Sequence, residues 1–380
     1  METIYLDHAA TSPMAPEVIV KMTEAFGTVY GNASSIHTAG RAARKELDAA
    51  RAILAKQLHV QPSEIVLTSG GTEADNTAIF GTAYARAHEG KHIITTQIEH
   101  HAILHACEKL EQEGFDVTYL PVDAFGRVKA SDVQKALRDD TILVTIMYGN
   151  NEVGTIQPIA EIGAILQEHQ ATFHTDAVQA FGLEAIHPES LGVDLLSVSA
   201  HKINGPKGIG FLYVKAGTKV ASFMYGGSQE KKRRAGTENI PAALGFAKAA
   251  ELASARREET RTKYSQFKQL LCATFNKAGI LYEVNGHDEH VLPHVFNVTF
   301  PGTDVESFLI NLDMAGVLVS SGSACTAGTV DPSHVLVAMF GQDSAKLRSS
   351  VRFSFGLGLT AEDVKEAGER TAAIVKRLVK

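Results

Sequence analysis

Lys202 closes the segment Ser199-Ala200-His201-Lys202, and Gly205-Pro206-Lys207-Gly208-Ile209-Gly210 follows it. An amine at the mouth of a crevice, among small residues, can form a Schiff base with an aldehyde cofactor. The bland alternative is a solvated surface lysine. Asp176, in Phe173-His174-Thr175-Asp176-Ala177-Val178-Gln179, offers a carboxylate that could keep a pyridine nitrogen protonated, or could cap a helix. Gln179 lies about one helical turn further on and could reach the same ring. Ser69-Gly70-Gly71-Thr72-Glu73 joins a strand to a helix. Its glycines would let a phosphate approach the backbone, and the helix start offers free N–H groups. The same residues also suit an ordinary turn with Thr72 as the N-cap.

Histidines and cysteines supply the remaining chemistry. In Glu99-His100-His101-Ala102-Ile103-Leu104-His105, His101 and His105 share a helix face at a spacing that suits zinc. No glutamate follows His101 as in a zinc-protease helix, and the sequence gives no third ligand, so no metal is expected. His100, at a strand end, is the better candidate for stacking on a flat cofactor and moving protons. Cys107 falls on an apolar face with Ile103 and Leu110 and reads as a small core residue. Cys272 lies in a helix beside Leu270 and Leu271 and is expected to be inert. Cys325 sits in Ser320-Ser321-Gly322-Ser323-Ala324-Cys325-Thr326-Ala327-Gly328, a small polar segment, where a cysteine is either incidental or a nucleophile.

These residues need a scaffold that gathers them. Short apolar strands are expected at 65–68, 92–96, 117–120, 142–147, 172–174, 195–199 and 209–214, with helices between several of them at 102–113, 131–138 and 159–169. That alternation predicts an α/β fold with a mostly parallel sheet. The polar clusters follow the strands, and in an open α/β sheet ligands bind at the carboxyl ends of strands. The charged helical stretch 242–277 leads to shorter strands at 297–300, 317–320 and 351–355, as in a smaller α+β domain.

Composition narrows the class. The 380 residues are 44% hydrophobic and carry a formal net charge of -7, which disfavours binding to a phosphate backbone. Only 3 cysteines are present, which argues against a disulfide scaffold and for a reducing compartment. The first residues form no signal peptide, and no apolar run approaches the roughly 20 residues of a membrane span. The expectation is a soluble cytoplasmic protein without membrane or direct nucleic-acid contacts. The basic run Lys231-Lys232-Arg233-Arg234 reads as a solvated loop rather than an RNA contact.

Taken in order, Tyr5-Leu6-Asp7-His8-Ala9-Ala10-Thr11, Ser-Gly-Gly-Thr-Glu, Asn-Asn-Glu-x-Gly, Asp-Ala-x-Gln, Ser-x-His-Lys with Gly-Pro-Lys-Gly, Ser-Ser-Gly-Ser-Ala-Cys and Arg352-Phe353-Ser354 resemble the NifS/IscS-like cysteine desulfurases. These form a branch of the class V, fold-type I enzymes that use pyridoxal 5'-phosphate. The resemblance implies a large domain at 15–255 and a smaller one, 1–14 with 256–380, that carries the cysteine loop. It implies that Lys202 binds the cofactor covalently and that Asp176 holds its pyridine nitrogen. It places His100 on the ring, and Gln179 and Asn151 at its phenolic side. Gly71, Thr72, Ser199 and His201 would hold the phosphate, and Thr237 would reach the phosphate of a partner in a homodimer. Arg352, assisted by Asn151, would clamp the carboxylate of L-cysteine. Cys325 would attack the substrate sulfur and keep it as a persulfide, leaving L-alanine.

The context of Cys325 resembles that of the group I enzymes. Ala33 stands where the family usually has proline, and a glycine, Gly328, extends the cysteine loop. A selenocysteine lyase or another class V enzyme is the alternative. The last helix, beginning near Ala361, ends basic with Lys376, Arg377 and Lys380 and no tail beyond it. Within the resemblance, this favours a tRNA 2-thiouridylase or similar enzyme as sulfur acceptor, with an iron–sulfur scaffold as the other acceptor.

Overall fold

The structure, a computed structural model, describes residues 3–322 and 332–379. In chain order the elements are β1 (Ile4–Tyr5), α1 (Pro16–Thr28), α2 (Thr38–Leu58), β2 (Ile65–Thr68), α3 (Gly71–Arg86), β3 (His92–Thr96), α4 (His101–Gln112), β4 (Asp116–Leu120), α5 (Ala130–Ala136), β5 (Thr141–Thr145), α6 (Ile159–Leu166), β6 (Thr172–Asp176), β7 (Leu195–Ser199) and β8 (Gly210–Val214). There follow α7 (Ile240–Ala255), α8 (Arg257–Ala278), β9 (Glu283–Asn285), β10 (Val295–Thr299), α9 (Val305–Met314), β11 (Val317–Leu318), α10 (His334–Phe340), β12 (Ser350–Ser354) and α11 (Ala361–Leu378).

Among the described residues the main sheet has seven strands in the order β2-β8-β7-β6-β5-β3-β4. The neighbours from β4 through β3, β5 and β6 to β7 are parallel, and β8 runs antiparallel to both β7 and β2. The inner strands bury every residue, which is why Ile142-Leu143-Val144 and Leu195-Leu196 read as continuous apolar runs rather than alternating ones. α4 buries Ile103, Ala106, Cys107 and Leu110, the 3–4 spacing of a single helix face. The α/β class and mostly parallel sheet expected from the sequence are what the chain adopts.

A second apolar core gathers Ile4 and Leu6 with Phe267, Phe275, Phe300, Phe308, Phe353 and Phe355, among others. It backs the antiparallel sheet β12-β10-β9 and the short parallel pair β1-β11.

Local differences from the sequence reading have simple causes. The stretch 242–277 is two helices, because Arg256 leaves helical geometry between α7 and α8. The N-cap of α3 is Gly70, not Thr72, which already lies inside the helix. Gln179 lies in a single turn, closed by the Ala180 and Phe181 N–H groups on Ala177 O, that does not continue into a helix. The run 231–234 is not simply solvated. Arg234 forks onto Glu73 at 2.8 and 3.1 Å, and its neighbour Glu230 is gripped by Arg51. Glu230, Lys231 and Lys232 all take positive φ (44°, 56° and 66°), a strained run for side-chain-bearing residues.

Candidate active site

The expected cofactor residues leave the carboxyl ends of β2, β3, β5, β6 and β7. At β2 the chain turns through Gly70 into α3. A Cβ on Gly71 would stand 2.8 Å from Val178 Cγ2 and 3.6 Å from Ser199 Cβ, so an added methyl would push on the Val178 side chain. The Ser69 N–H donates to Glu73 Oε2 at 2.7 Å, and Arg234 holds the same carboxylate. The start of α3, with Gly71 and the exposed Thr72, is thereby braced from below.

Lys202 ends a short 3-10 turn after β7, whose last residue is the buried Ser199. Its Nζ donates to the carbonyls of Ala9 and Ala10 at 2.5 and 2.8 Å. Segment 7–12 makes most of the contacts here. Ala9 O also accepts from Gln179 Nε2 at 3.0 Å, Thr11 Oγ1 meets His201 Nδ1 at 3.1 Å, and Ser12 Oγ donates to His201 O at 2.6 Å. The other end of Gln179, Oε1, accepts from His294 Nε2 at 2.9 Å. Burial, then the charges of Lys202 and Lys207, push His201 down to about 4, so it is neutral at physiological pH.

Asp176 is the last residue of β6. Burial raises its carboxyl to about 6, against the Val178 N–H, which donates to Oδ1 at 2.8 Å, and the charge of Lys202. His100 is the N-cap of α4, its Nδ1 accepting from Ala102 N at 3.1 Å. The ring proton therefore sits on Nε2. Burial, then the charges of Lys202 and the neighbouring histidines, lowers His100 to about 4. A neutral imidazole, a buried acid and a lysine thus share one region.

Arg352 lies on β12 with its side chain 1% exposed. Its Nη1 donates to Asn151 O at 2.9 Å and its Nη2 to Asp7 Oδ1 at 2.8 Å, while Nε has no protein partner. Arg352 and Asn151, both expected at the substrate carboxylate, meet through the Asn151 backbone carbonyl. Thr237 is exposed, after the strained loop. Cys325 lies outside the described residues. Cys107 is fully buried, and burial raises both its thiol and that of Cys272.

His101 stacks on His105 at 5.0 Å between centroids, and His334, distant in sequence, brings a third ring 4.7 Å from His101. No group of histidine, cysteine or carboxylate residues among those described could hold a metal ion. The sequence reading missed Asp7, His294, Asp75 and Glu99. Asp7 and its neighbours stood in a recognised motif without a role. The other three carried no signal, because their partners are brought near only by the fold.

The Aminotransferase class-V family description matches residues 4–366. The chain is 61% identical over 378 residues, covering 100% of each chain, to the protein named "Putative cysteine desulfurase IscS 1" of Bacillus subtilis (strain 168). It is 45% identical to the cysteine desulfurase IscS of Methanosarcina thermophila, covering 99% of this chain and 93% of that one. Its fold matches a solved NifS-like protein with a TM-score of 0.92 at 34% identity, covering 99% and 100% of the two chains. It also matches a structure of SspA in complex with cysteine, with a TM-score of 0.82 at 37% identity, covering 93% and 99%. The chain belongs to the class-V aminotransferase family.

Among the described residues no helix is long and apolar enough to cross a membrane.

Proposed function

We propose that this chain is a pyridoxal-phosphate-dependent cysteine desulfurase. It takes sulfur from L-cysteine, releases L-alanine and holds the sulfur on Cys325 as a persulfide. The observation that carries the reading is the convergence of Lys202, Asp176, neutral His100 and buried Arg352 from separate strand ends, in a chain whose relatives are named cysteine desulfurases.

The residues fit the cofactor. The narrow gap at Gly71 and the free N–H groups at the start of α3 suit a phosphate, with Thr72, Ser199 and His201 beside it. Lys202 is the amine that would hold the aldehyde, and Asp176 the acid for the pyridine nitrogen. When bound, pyridoxal phosphate withdraws electrons from the substrate's α-carbon. Arg352 binds the substrate carboxylate through its planar fork, and the Asn151 carbonyl keeps that fork oriented. Lys202 moves the α proton. The Cys325 thiolate forms a bond to the substrate sulfur as the carbon–sulfur bond breaks. The electron pair goes to the substrate side, where the β-carbon takes a proton and becomes the methyl group of alanine.

Several finer points belong to the same proposal. The large unit is 15–255, and 1–14 with 256–380 form the second. In support, Ile4 and Leu6 pack with residues 264–375, apart from the core around the main sheet. The enzyme is a cytoplasmic homodimer in which Thr237 serves the partner's phosphate site, and its acceptor is a tRNA-thiolating enzyme rather than an iron–sulfur scaffold. Transfer of labelled sulfur from Cys325 to each acceptor at equal concentration tests that choice, and faster transfer to the scaffold reverses it.

The central test separates two residues. Lys202→Ala should lose covalent cofactor attachment. Cys325→Ser should keep the cofactor and bind cysteine yet release no sulfide. Normal alanine production by Cys325→Ser under reducing conditions would overturn the assignment.

A further inference from the structure

A file of polar groups runs beneath the sheet, under Asp176. On β6, Thr172, His174 and Asp176 face the same side, since strand side chains alternate. α3 packs across that side with Asp75 and Thr82 buried in its face. His174 Nδ1 meets Thr145 Oγ1 at 2.8 Å, and His174 Nε2 meets Ser197 Oγ at 2.9 Å. Ser197 in turn hydrogen-bonds Asp75 and is the register partner of Asp176 on the next strand.

Asp75 is the anomaly in this file. It is 1% exposed, its Oδ1 has no hydrogen-bond partner, and the nearest base, His174 Nε2, is 3.7 Å away. His174 cannot neutralise it, because burial lowers that imidazole to about 3. Two further carboxyls, Asp176 and Glu99, share the compartment; burial raises Glu99 to about 8, so at neutral pH Asp176 is the one whose charge bears on Asp75. The support given to the two aspartates is unequal. Asp176 receives a backbone N–H and the field of Lys202, whereas Asp75 receives one hydroxyl. Like charges in a buried space cannot both persist, and the better supported one keeps its charge.

We propose that Asp75 is a positioning residue for Asp176: it stands beneath it as a neutral carboxylic acid, and by keeping its proton it leaves Asp176 the charged member of the pair. An ionised Asp75 would leave a charged oxygen, Oδ1, without a donor in the buried helix–sheet interface. Kept neutral, it fills the space below Asp176 without competing for the positive charge above. The inference rests on the reading that Asp176 faces the cofactor ring, but its test reads the aspartate itself and holds whether or not the chain releases sulfide.

The test is infrared spectroscopy of the full-length holoprotein grown with aspartate 13C-labelled at the side-chain carboxyl. At neutral pH a protonated-carboxyl band should move with the label. A protonated Glu99 would contribute a band that does not. The labelled band should vanish in Asp75→Asn, whose amide keeps the shape, and survive in Asp176→Asn. With the competing charge gone, Asp176→Asn should also let Asp75 ionise more easily, moving its titration down by about one pH unit or more. A purely structural role for Asp75 gives no such coupling. Absence of the labelled band in the unmodified protein, its persistence in Asp75→Asn, or a band that Asp176→Asn leaves unchanged at every pH would each overturn the proposal.

Discussion

Arg352 Nη2 donates to Asp7 Oδ1 at 2.8 Å, joining two residues 345 positions apart. The pair places a carboxylate of the chain on the guanidinium that we assign to the substrate's carboxylate. Asp7 therefore orients Arg352 before substrate arrives and competes with it afterwards. Asp7→Asn should lower the KM for cysteine several-fold, because the fork loses its internal rival. The same change should cost about 1–3 kcal/mol of folding stability, since a buried charge loses its partner. Arg352→Lys cannot serve both Asn151 and a carboxylate, and should lose about 10- to 100-fold in kcat/KM, roughly 1.4–2.8 kcal/mol. Steady-state kinetics and urea denaturation of the two variants check these opposite signs.

Stability should peak near pH 6.5. Burial lowers His8, His100 and His201 to about 4, and His174 and His294 to about 3. The unfolded chain binds protons at these positions first, so stability falls as pH drops from about 6.5 toward 4. Glu99 works the other way. Burial raises it from the ordinary 4.5 to about 8, so its contribution to stability falls as pH rises from about 4.5 to 8 and is outweighed by the five histidines below about 6.5. Urea midpoints across this range should trace both limbs, and Glu99→Gln should flatten the alkaline one. A flat profile between pH 4.5 and 8 would contradict the assignment of these groups as buried.

Arg234 should bear on cofactor affinity through the turn into α3. It grips Glu73, which in turn holds the Ser69 N–H at the turn into α3. Arg234→Met should loosen that turn and raise the Kd for pyridoxal phosphate about tenfold, some 1.4 kcal/mol. Absorbance titration of the cofactor-free chain measures it, and an unchanged Kd would show the brace to be dispensable.

The cysteines should divide sharply. Burial raises the thiols of Cys107 and Cys272, so in the folded chain both should resist iodoacetamide at neutral pH. Cys107→Ala and Cys272→Ala should retain sulfide release, and Cys325→Ser should abolish it. Mass spectrometry after cysteine turnover should find the added sulfur on Cys325 alone.

What the sequence made legible follows from the range over which each signal acts. Strands such as Ile65–Thr68, His92–Thr96 and Leu195–Ser199 were bounded correctly, because continuous apolar runs between polar turns are local patterns. Lys202, Asp176 and His100 stood out for a related reason: each lies at or just beyond a strand's carboxyl end, where an open α/β sheet gathers its ligands. Asp7 and His294 act through partners 345 and 115 residues away, Arg352 and Gln179; the motif around Asp7 named no role for it, and nothing local marks His294. Asp75 looked like any polar residue in the first turns of a helix. Only the packing of α3 on β6 leaves its carboxyl buried. β9 was missed because Glu283–Asn285 is three residues long with two of them exposed, too short to show a period.

The segment 7–12 also sets a timetable for biosynthesis. Lys202 rests on the carbonyls of Ala9 and Ala10, yet Ala9 N is anchored by Ser354 and Asp7 by Arg352. These first residues leave the ribosome long before their anchors exist. At about 5–20 residues per second, they wait on the order of 20–70 s for β12 to emerge. The main sheet can assemble meanwhile, but the lysine pocket cannot close until translation is nearly done. A nascent chain arrested before residue 350 should therefore be an aldehyde-accessible, chaperone-dependent species, and cofactor capture should be among the last events in the protein's synthesis.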